Sequence, residues 1–184
     1  MRSLVARLLF YPTLGWNLFL WRILPWRRWC DSIDEHVILG ALPFASNVAD
    51  LHDSGVRAVV NACAETEGPV KEYERYGITQ LCIPTTDFNP PGLEDIQRAI
   101  VFMREHTERG ERVYVHCKAG RGRGATVVLC WLIATKGMAS EAAQAVLLQK
   151  RPHVLPKLYH RVVVQEFQRS VVDGDSSRST PLEG

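Results

Sequence analysis

Val113-Tyr114-Val115-His116-Cys117-Lys118-Ala119-Gly120-Arg121-Gly122-Arg123 is the stretch whose reading decides the fold. A short apolar run predicts a strand, two glycines among three cations predict a tight loop, and the uniformly apolar residues 125–136 predict a central buried helix. Working outward, Val37-Ile38-Leu39 ending at Gly40, Ala58-Val59-Val60 and Leu81-Cys82-Ile83 are further strand-like runs. Helix-like sequence begins at Asn47. In residues 95–108 a stripe of Ile96, Ala99, Ile100 and Met103 has helical spacing and stops at Gly110. Two more helices are expected over residues 140–150 and 157–171. Strands alternating with helices predict an α/β domain with a central, mostly parallel sheet flanked by helices.

A chain of 184 residues is long enough for one domain with a sizeable core and too short for two ordinary ones. Its apolar share of 46% and charged share of 23% are those of a globular protein and exclude wholesale disorder. Cys30, Cys63, Cys82, Cys117 and Cys130 are odd in number and show no C-x-x-C spacing, against both a disulfide framework and a zinc site. Cys63, Cys82 and Cys130 lie in apolar surroundings and read as small buried hydrophobes. Free thiols point to a reducing compartment.

Composition divides the chain into an apolar, Arg- and Trp-rich segment over residues 1–30, a domain over 31–172 and a polar tail over 173–184 that reads as disordered. The first segment carries Arg2, Arg7, Arg22, Arg27 and Arg28 with no acid and no lysine, a local charge of +5 in a chain of net +2. Basic charge confined to one apolar end speaks against nucleic acid as a partner. Trp16, Trp21, Trp26 and Trp29 interleave with these arginines, a pattern suited to the headgroup level of a bilayer. The uncharged run over 8–21 contains Pro12 and Gly15 and falls short of the about 20 residues that a spanning helix needs. No A-x-A-like cleavage pattern follows. Association with a membrane surface is expected, at a bacterial inner membrane or a mitochondrion; spanning the bilayer, and packing of a helix on the domain, stay open.

Within the loop, Cys117 and Arg123 stand in C-x5-R spacing between a strand and a helix. Such a loop points successive backbone N–H groups inward at a helix N-terminus and makes an anion cradle. Gly120 and Gly122 permit the backbone angles and the close approach that the cradle needs. The same positive field stabilises a thiolate on Cys117, whose free pKa is about 8.5. Arg123 supplies a planar fork that matches two phosphate oxygens. Together these residues suit nucleophilic attack on a phosphate monoester. His116 reads as an orienting residue that holds the cysteine. The general acid must come from elsewhere, and Asp87 is the best candidate: it sits in a loop just past a strand end, on the side of the sheet where Cys117 lies.

H-C-x5-R with a strand before, a helix after and an upstream loop aspartate resembles the protein tyrosine phosphatase superfamily, specifically its small dual-specificity branch, over residues 31–170. Within that branch the chain is similar to the mitochondrial-type phosphatases that act on phosphatidylglycerophosphate, and to their plant and bacterial relatives. Four passages carry this likeness: Leu9-Phe10-Tyr11-Pro12-Thr13-Leu14, Val37-Ile38-Leu39-Gly40-Ala41-Leu42-Pro43, Ile83-Pro84-Thr85-Thr86-Asp87, and the loop from His116 to Arg123. The resemblance implies a covalent phosphocysteine intermediate, no metal or organic cofactor, and substrate contacts from Lys118, Ala119, Gly120, Arg121 and Gly122. Lys118 and Arg121 add cations suited to a headgroup bearing a second phosphate. A lipid phosphate such as phosphatidylglycerophosphate is the expected substrate, with phosphoprotein substrates the alternative and a phosphate-binding pseudoenzyme the third reading.

One departure from the family pattern stands out. Gly124 occupies the position after the arginine, where relatives carry Ser or Thr whose hydroxyl stabilises the departing cysteine thiolate. The sequence therefore predicts a higher thiol pKa and slower phosphoenzyme breakdown than in a serine-bearing relative. Gly124→Ser is expected to raise the steady-state rate relative to the pre-steady-state burst. Rapid-quench kinetics with burst amplitude and steady-state rate both unchanged would remove this idea.

Overall fold

Alternation along three central strands sorts their side chains between two cores. The structure, a computed structural model, describes residues 28–178 together with Pro12 and Gly15, and side chains as far as Asp173. Its sheet has the order β1-β2-β5-β3-β4, built from β1 (Cys30–Ser32), β2 (Val37–Gly40), β3 (Val56–Asn61), β4 (Thr79–Cys82) and β5 (Arg112–His116). Only β1 runs antiparallel to its neighbour. Val37, Leu39, Ala58, Val60, Val113 and Val115 face the larger core, which is completed by α3 (Leu93–Thr107), α4 (Arg123–Lys136), α5 (Ser140–Lys150) and α6 (Val162–Arg178). Ile38, Val59 and Tyr114 face the other way, against α1 (Val48–Asp53) and Tyr73 of α2 (Val70–Arg75). Val56 joins this second face out of step, because a bulge between Val56 and Ala58 inserts an extra residue against β5. From Arg123 to Ile133 every residue of α4 but none of its solvent-side tail is buried, as the apolar run over residues 127–133 requires.

The expected α/β layering holds, with four differences in detail. β1 and α2 were not anticipated, since three and six residues are too short to show a period. The last helix is preceded by a separate 3-10 turn over Leu158–His160, because Arg161 adopts an extended conformation between them. That helix then runs to Arg178, into the stretch read as a disordered tail. Once it is anchored through Val163, Val164 and Phe167, each added residue costs little. Residues 179–184 lie outside the described residues. Finally, Cys82 is exposed and not buried: β4 is the sheet edge, and its two end residues face solvent.

At the other end of the chain, Trp29 stacks on Tyr114 at 5.5 Å and Cys30 opens β1, so these residues belong to the domain and not to the apolar segment. Apart from Pro12, Gly15 and residues 28–30, the segment over residues 1–30 that reads as membrane-associating lies outside the described residues. Among the described residues no helix is long and apolar enough to cross a membrane.

Two close approaches lock the sheet to the loop after β5. A side chain on Gly40 would collide with Tyr114, whose Oη donates to the Ala41 carbonyl at 2.6 Å. Arg151, fully buried at the end of α5, pairs with Asp31 of β1 at 2.6 Å and donates to Gly120 O at 3.0 Å and Ala119 O at 3.2 Å. Removing one partner of a buried ion pair leaves the other uncompensated. Arg151→Gln is therefore expected to cost roughly 3–5 kcal/mol in urea unfolding. Gly40→Ala is expected to cost about 1–3 kcal/mol through overpacking. An unfolding midpoint within error of the parent for Arg151→Gln would mean that this arginine is not the strut described.

Candidate active site

Cys117 follows the last residue of β5 directly, and α4 begins six residues later at Arg123. The sharp strand-to-helix reversal is made by Gly120, whose φ of +62° is in the left-handed region and whose Cα would place a side chain 2.4 Å from Gly40 O. With no side chain there, the loop settles onto the end of β2.

Six carbonyls of the loop accept hydrogen bonds from outside the cradle. His116 O accepts from Ala62 N at 2.9 Å, Lys118 O from Leu42 N at 3.3 Å and Arg121 O from Leu155 N at 3.0 Å. Ala119 O and Gly120 O accept from Arg151, and Gly122 O from the amide of Thr126 at 2.9 Å and its hydroxyl at 2.8 Å. With the carbonyls turned out, the N–H groups turn in.

Cys117 is 3% exposed. Burial opposes its ionisation. The Arg123 charge and the backbone N–H groups of Gly124, Ala119 and Arg121 outweigh that, and the thiol pKa falls below its ordinary value. Residue 124 thus reaches the sulfur through its backbone. A side chain added to Gly124 would meet His116 C at 3.2 Å and Cys117 N at 3.4 Å, so a serine there needs a shift of a few tenths of an ångström. Thr126 does not substitute for the missing hydroxyl: its Oγ1 donates to Gly122 O and accepts from Arg161 Nη1 at 2.6 Å.

Arg123 is as deeply placed as the cysteine. Nη1 donates to Glu65 Oε2 at 2.6 Å and to Thr85 O at 2.7 Å, while Nη2 lies 3.1 Å from Asp87 Oδ1. Asp87 also forms an ion pair with Lys118, and its backbone amide donates to Glu65 Oε1 at 2.8 Å. Lys118 is therefore buried in this network and is no solvated flanking charge. Arg121 donates through Nε to His153 O at 2.8 Å. His116 is fully buried between Tyr114 and the loop; burial and the nearby Arg123 push its pKa down to about 3, so the ring is neutral at physiological pH. Neither ring nitrogen has a partner at full hydrogen-bond geometry, and the backbone of Cys117 is the polar group nearest to bonding the ring.

The residues singled out in the sequence thus converge at the C-terminal ends of the parallel strands. Glu65 and Arg151 were missed. Glu65 lies past the end of β3 as Asp87 lies past the end of β4, so the same rule could have found it. Arg151 carried no signal beyond standing before Pro152 at a helix end. A cleft of about 720 Å³ lies elsewhere: it opens on the β1 side among Trp29, Asp31, Asp50 and Arg112. Among the described residues no cluster of His, Cys, Asp or Glu could hold a metal ion.

Comparison with known proteins bears on this arrangement. The family described as "Dual specificity phosphatase, catalytic domain" matches residues 37–170. Phosphatidylglycerophosphate phosphatase PTPMT2 of Arabidopsis thaliana is 43% identical over 167 residues, 89% of this chain and 73% of that protein. Phosphatidylglycerophosphatase and protein-tyrosine phosphatase 1 of Homo sapiens is 35% identical over 176 residues, 91% of this chain and 88% of that protein. The crystal structure of PTPMT1 in complex with PI(5)P superposes with a TM-score of 0.74 at 30% identity, covering 80% of this chain and 99% of that one. The chain belongs to the dual specificity phosphatase family and is a cysteine-based phosphatase.

Proposed function

We propose that this phosphatase hydrolyses the phosphate monoester of a membrane lipid, phosphatidylglycerophosphate foremost, through a phosphocysteine on Cys117. The observation that carries the chemistry is the buried Cys117 sulfur facing three backbone N–H groups beside the Arg123 guanidinium. In the first step the Cys117 thiolate attacks phosphorus, the N–H groups and the Arg123 fork hold the equatorial oxygens, and the ester oxygen leaves with a proton from Asp87. In the second, Asp87 takes a proton from water as the water attacks the phosphocysteine, releasing inorganic phosphate and the thiolate. Asp87 must first leave Arg123 and Lys118, and an incoming phosphate takes its place on those cations.

The lipid assignment is supported by the relatives, of which two carry phosphatidylglycerophosphate in their activity and one is held in complex with PI(5)P. It is also supported by the placing of Lys118 and Arg121 at the cradle, where they suit a headgroup with a second phosphate. Residues 1–27 serve as a membrane-surface anchor, at a mitochondrial or bacterial inner membrane, that raises the local concentration of lipid.

The test is a panel of phosphatidylglycerophosphate, phosphoinositides and a phosphotyrosine peptide, with and without residues 1–27. Turnover of the glycerophosphate lipid is expected to be fastest and to fall on truncation when the lipid is membrane-borne; turnover of the peptide alone would overturn the lipid assignment. Asp87→Asn is expected to slow hydrolysis of alkyl monoesters roughly 10²-fold or more, and that of a good aryl leaving group far less.

A further inference from the structure

Six large apolar side chains are exposed among the described residues, and four of them stand on segments that flank the catalytic loop. Phe88 follows Asp87, is 83% exposed, and lies with its ring 5.8 Å from Lys118 Nζ. Its φ of 69° is an uncommon conformation for a bulky residue, and it holds the ring out into solvent. Phe44 stands two residues beyond Leu42, whose amide bonds the loop at Lys118 O. Across the mouth, Leu155 bonds Arg121 O through its amide and nearly touches Gly122, and Val162 follows Arg161, which bonds Thr126 at the start of α4.

Charge on the Leu155 side is of one sign. From Arg151 to Gln165 the chain has no acid. Arg151 is taken up by Asp31, whereas Lys157 and His160 are exposed and Arg161, partly exposed, has no carboxylate within 4.0 Å among the described residues. Apolar side chains interleaved with cations around a recessed site complement an anionic lipid surface.

We propose that this collar of Phe44, Phe88, Leu155 and Val162, with Lys157 and Arg161, is the surface on which the domain seats on an anionic phospholipid bilayer. The apolar side chains enter the headgroup region and the cations meet lipid phosphates. The mouth then lies flush with the membrane, and a protruding monoester headgroup descends to the recessed Cys117 while its acyl chains stay in the bilayer. This is separate from any anchor in residues 1–27, and it rests on the lipid-phosphate reading above.

The experiment uses the full chain and compares hydrolysis of a vesicle-borne lipid phosphate monoester with that of a soluble aryl phosphate. Vesicles are phosphatidylcholine with or without phosphatidylglycerol. Phe88→Ser and Val162→Ser are each expected to lower vesicle-borne turnover about tenfold, the worth of one buried apolar side chain, and to leave aryl phosphate hydrolysis unchanged. Phe88→Leu should retain most of the vesicle activity, and Lys157→Gln should blunt the gain from phosphatidylglycerol. Vesicle turnover unchanged in both serine variants, or falling in parallel with aryl phosphate hydrolysis, overturns the collar. So does a loss confined to phosphopeptide, which would make it a protein-docking rim. A parent chain that cleaves the lipid in detergent while its variants match it on vesicles refutes the collar alone; a parent that cleaves no lipid in either form refutes the lipid reading itself.

Discussion

The catalytic loop can hold an anion only if its carbonyls are kept pointing away, and much of the fold answers that requirement. A peptide group carries donor and acceptor in opposite directions, so turning N–H groups into a cradle sends the carbonyls outward, where buried ones need partners. The residue after β3 supplies one, through Ala62, the segment after β2 another through Leu42, and the turn after α5 a third through Leu155. Where no backbone amide can reach, Arg151 serves Ala119 and Gly120 at once. Its own charge is balanced by Asp31 of β1, which gives the short antiparallel edge strand a reason to exist. The nucleophile's lowered pKa is thus set by groups whose partners lie on β1 and on the segments that follow β2, β3 and α5, well outside the loop itself.

A second constraint is the burial of Arg123. A guanidinium only 3% exposed is costly unless paired, and Glu65, the Thr85 carbonyl and Asp87 supply the pairing. Glu65 is the permanent counter-ion: it grips Arg123 with one oxygen and the Asp87 backbone with the other. It therefore aims the fork and fixes the base of the Asp87 loop together.

The parts of this arrangement that were legible in the sequence share one property: their signal is local. A strand, a cysteine, two glycines, an arginine and an apolar helix follow one another without a gap, so period and spacing sufficed for β5, the loop and α4. Asp87 was legible because strand ends in a parallel sheet collect on one side. Glu65 was open to the same rule; Arg151 was not, because its role rests on contacts across 31 residues that no period records. Cys82 misled for the opposite reason: its neighbours are apolar, but edge position and not composition decides the exposure of a terminal strand residue. The departure at Gly124 was legible as a missing hydroxyl, while its amide's contribution to the thiolate needed the loop's geometry.

Asp87, tethered across Arg123 and Lys118, is an internal competitor for the cations that receive phosphate. Tethered groups act at effective concentrations of millimolar order. Occupation of the cradle is then an exchange of one anion for another, and the net charge of the pocket changes less than the charge of the ligand. The exchange works in both directions. It weakens the hold on any entering phosphate, and it equally drives inorganic phosphate out once the ester is gone. A cradle this rich in donors would otherwise be slow to empty, and the carboxylate that limits its affinity thereby protects its turnover.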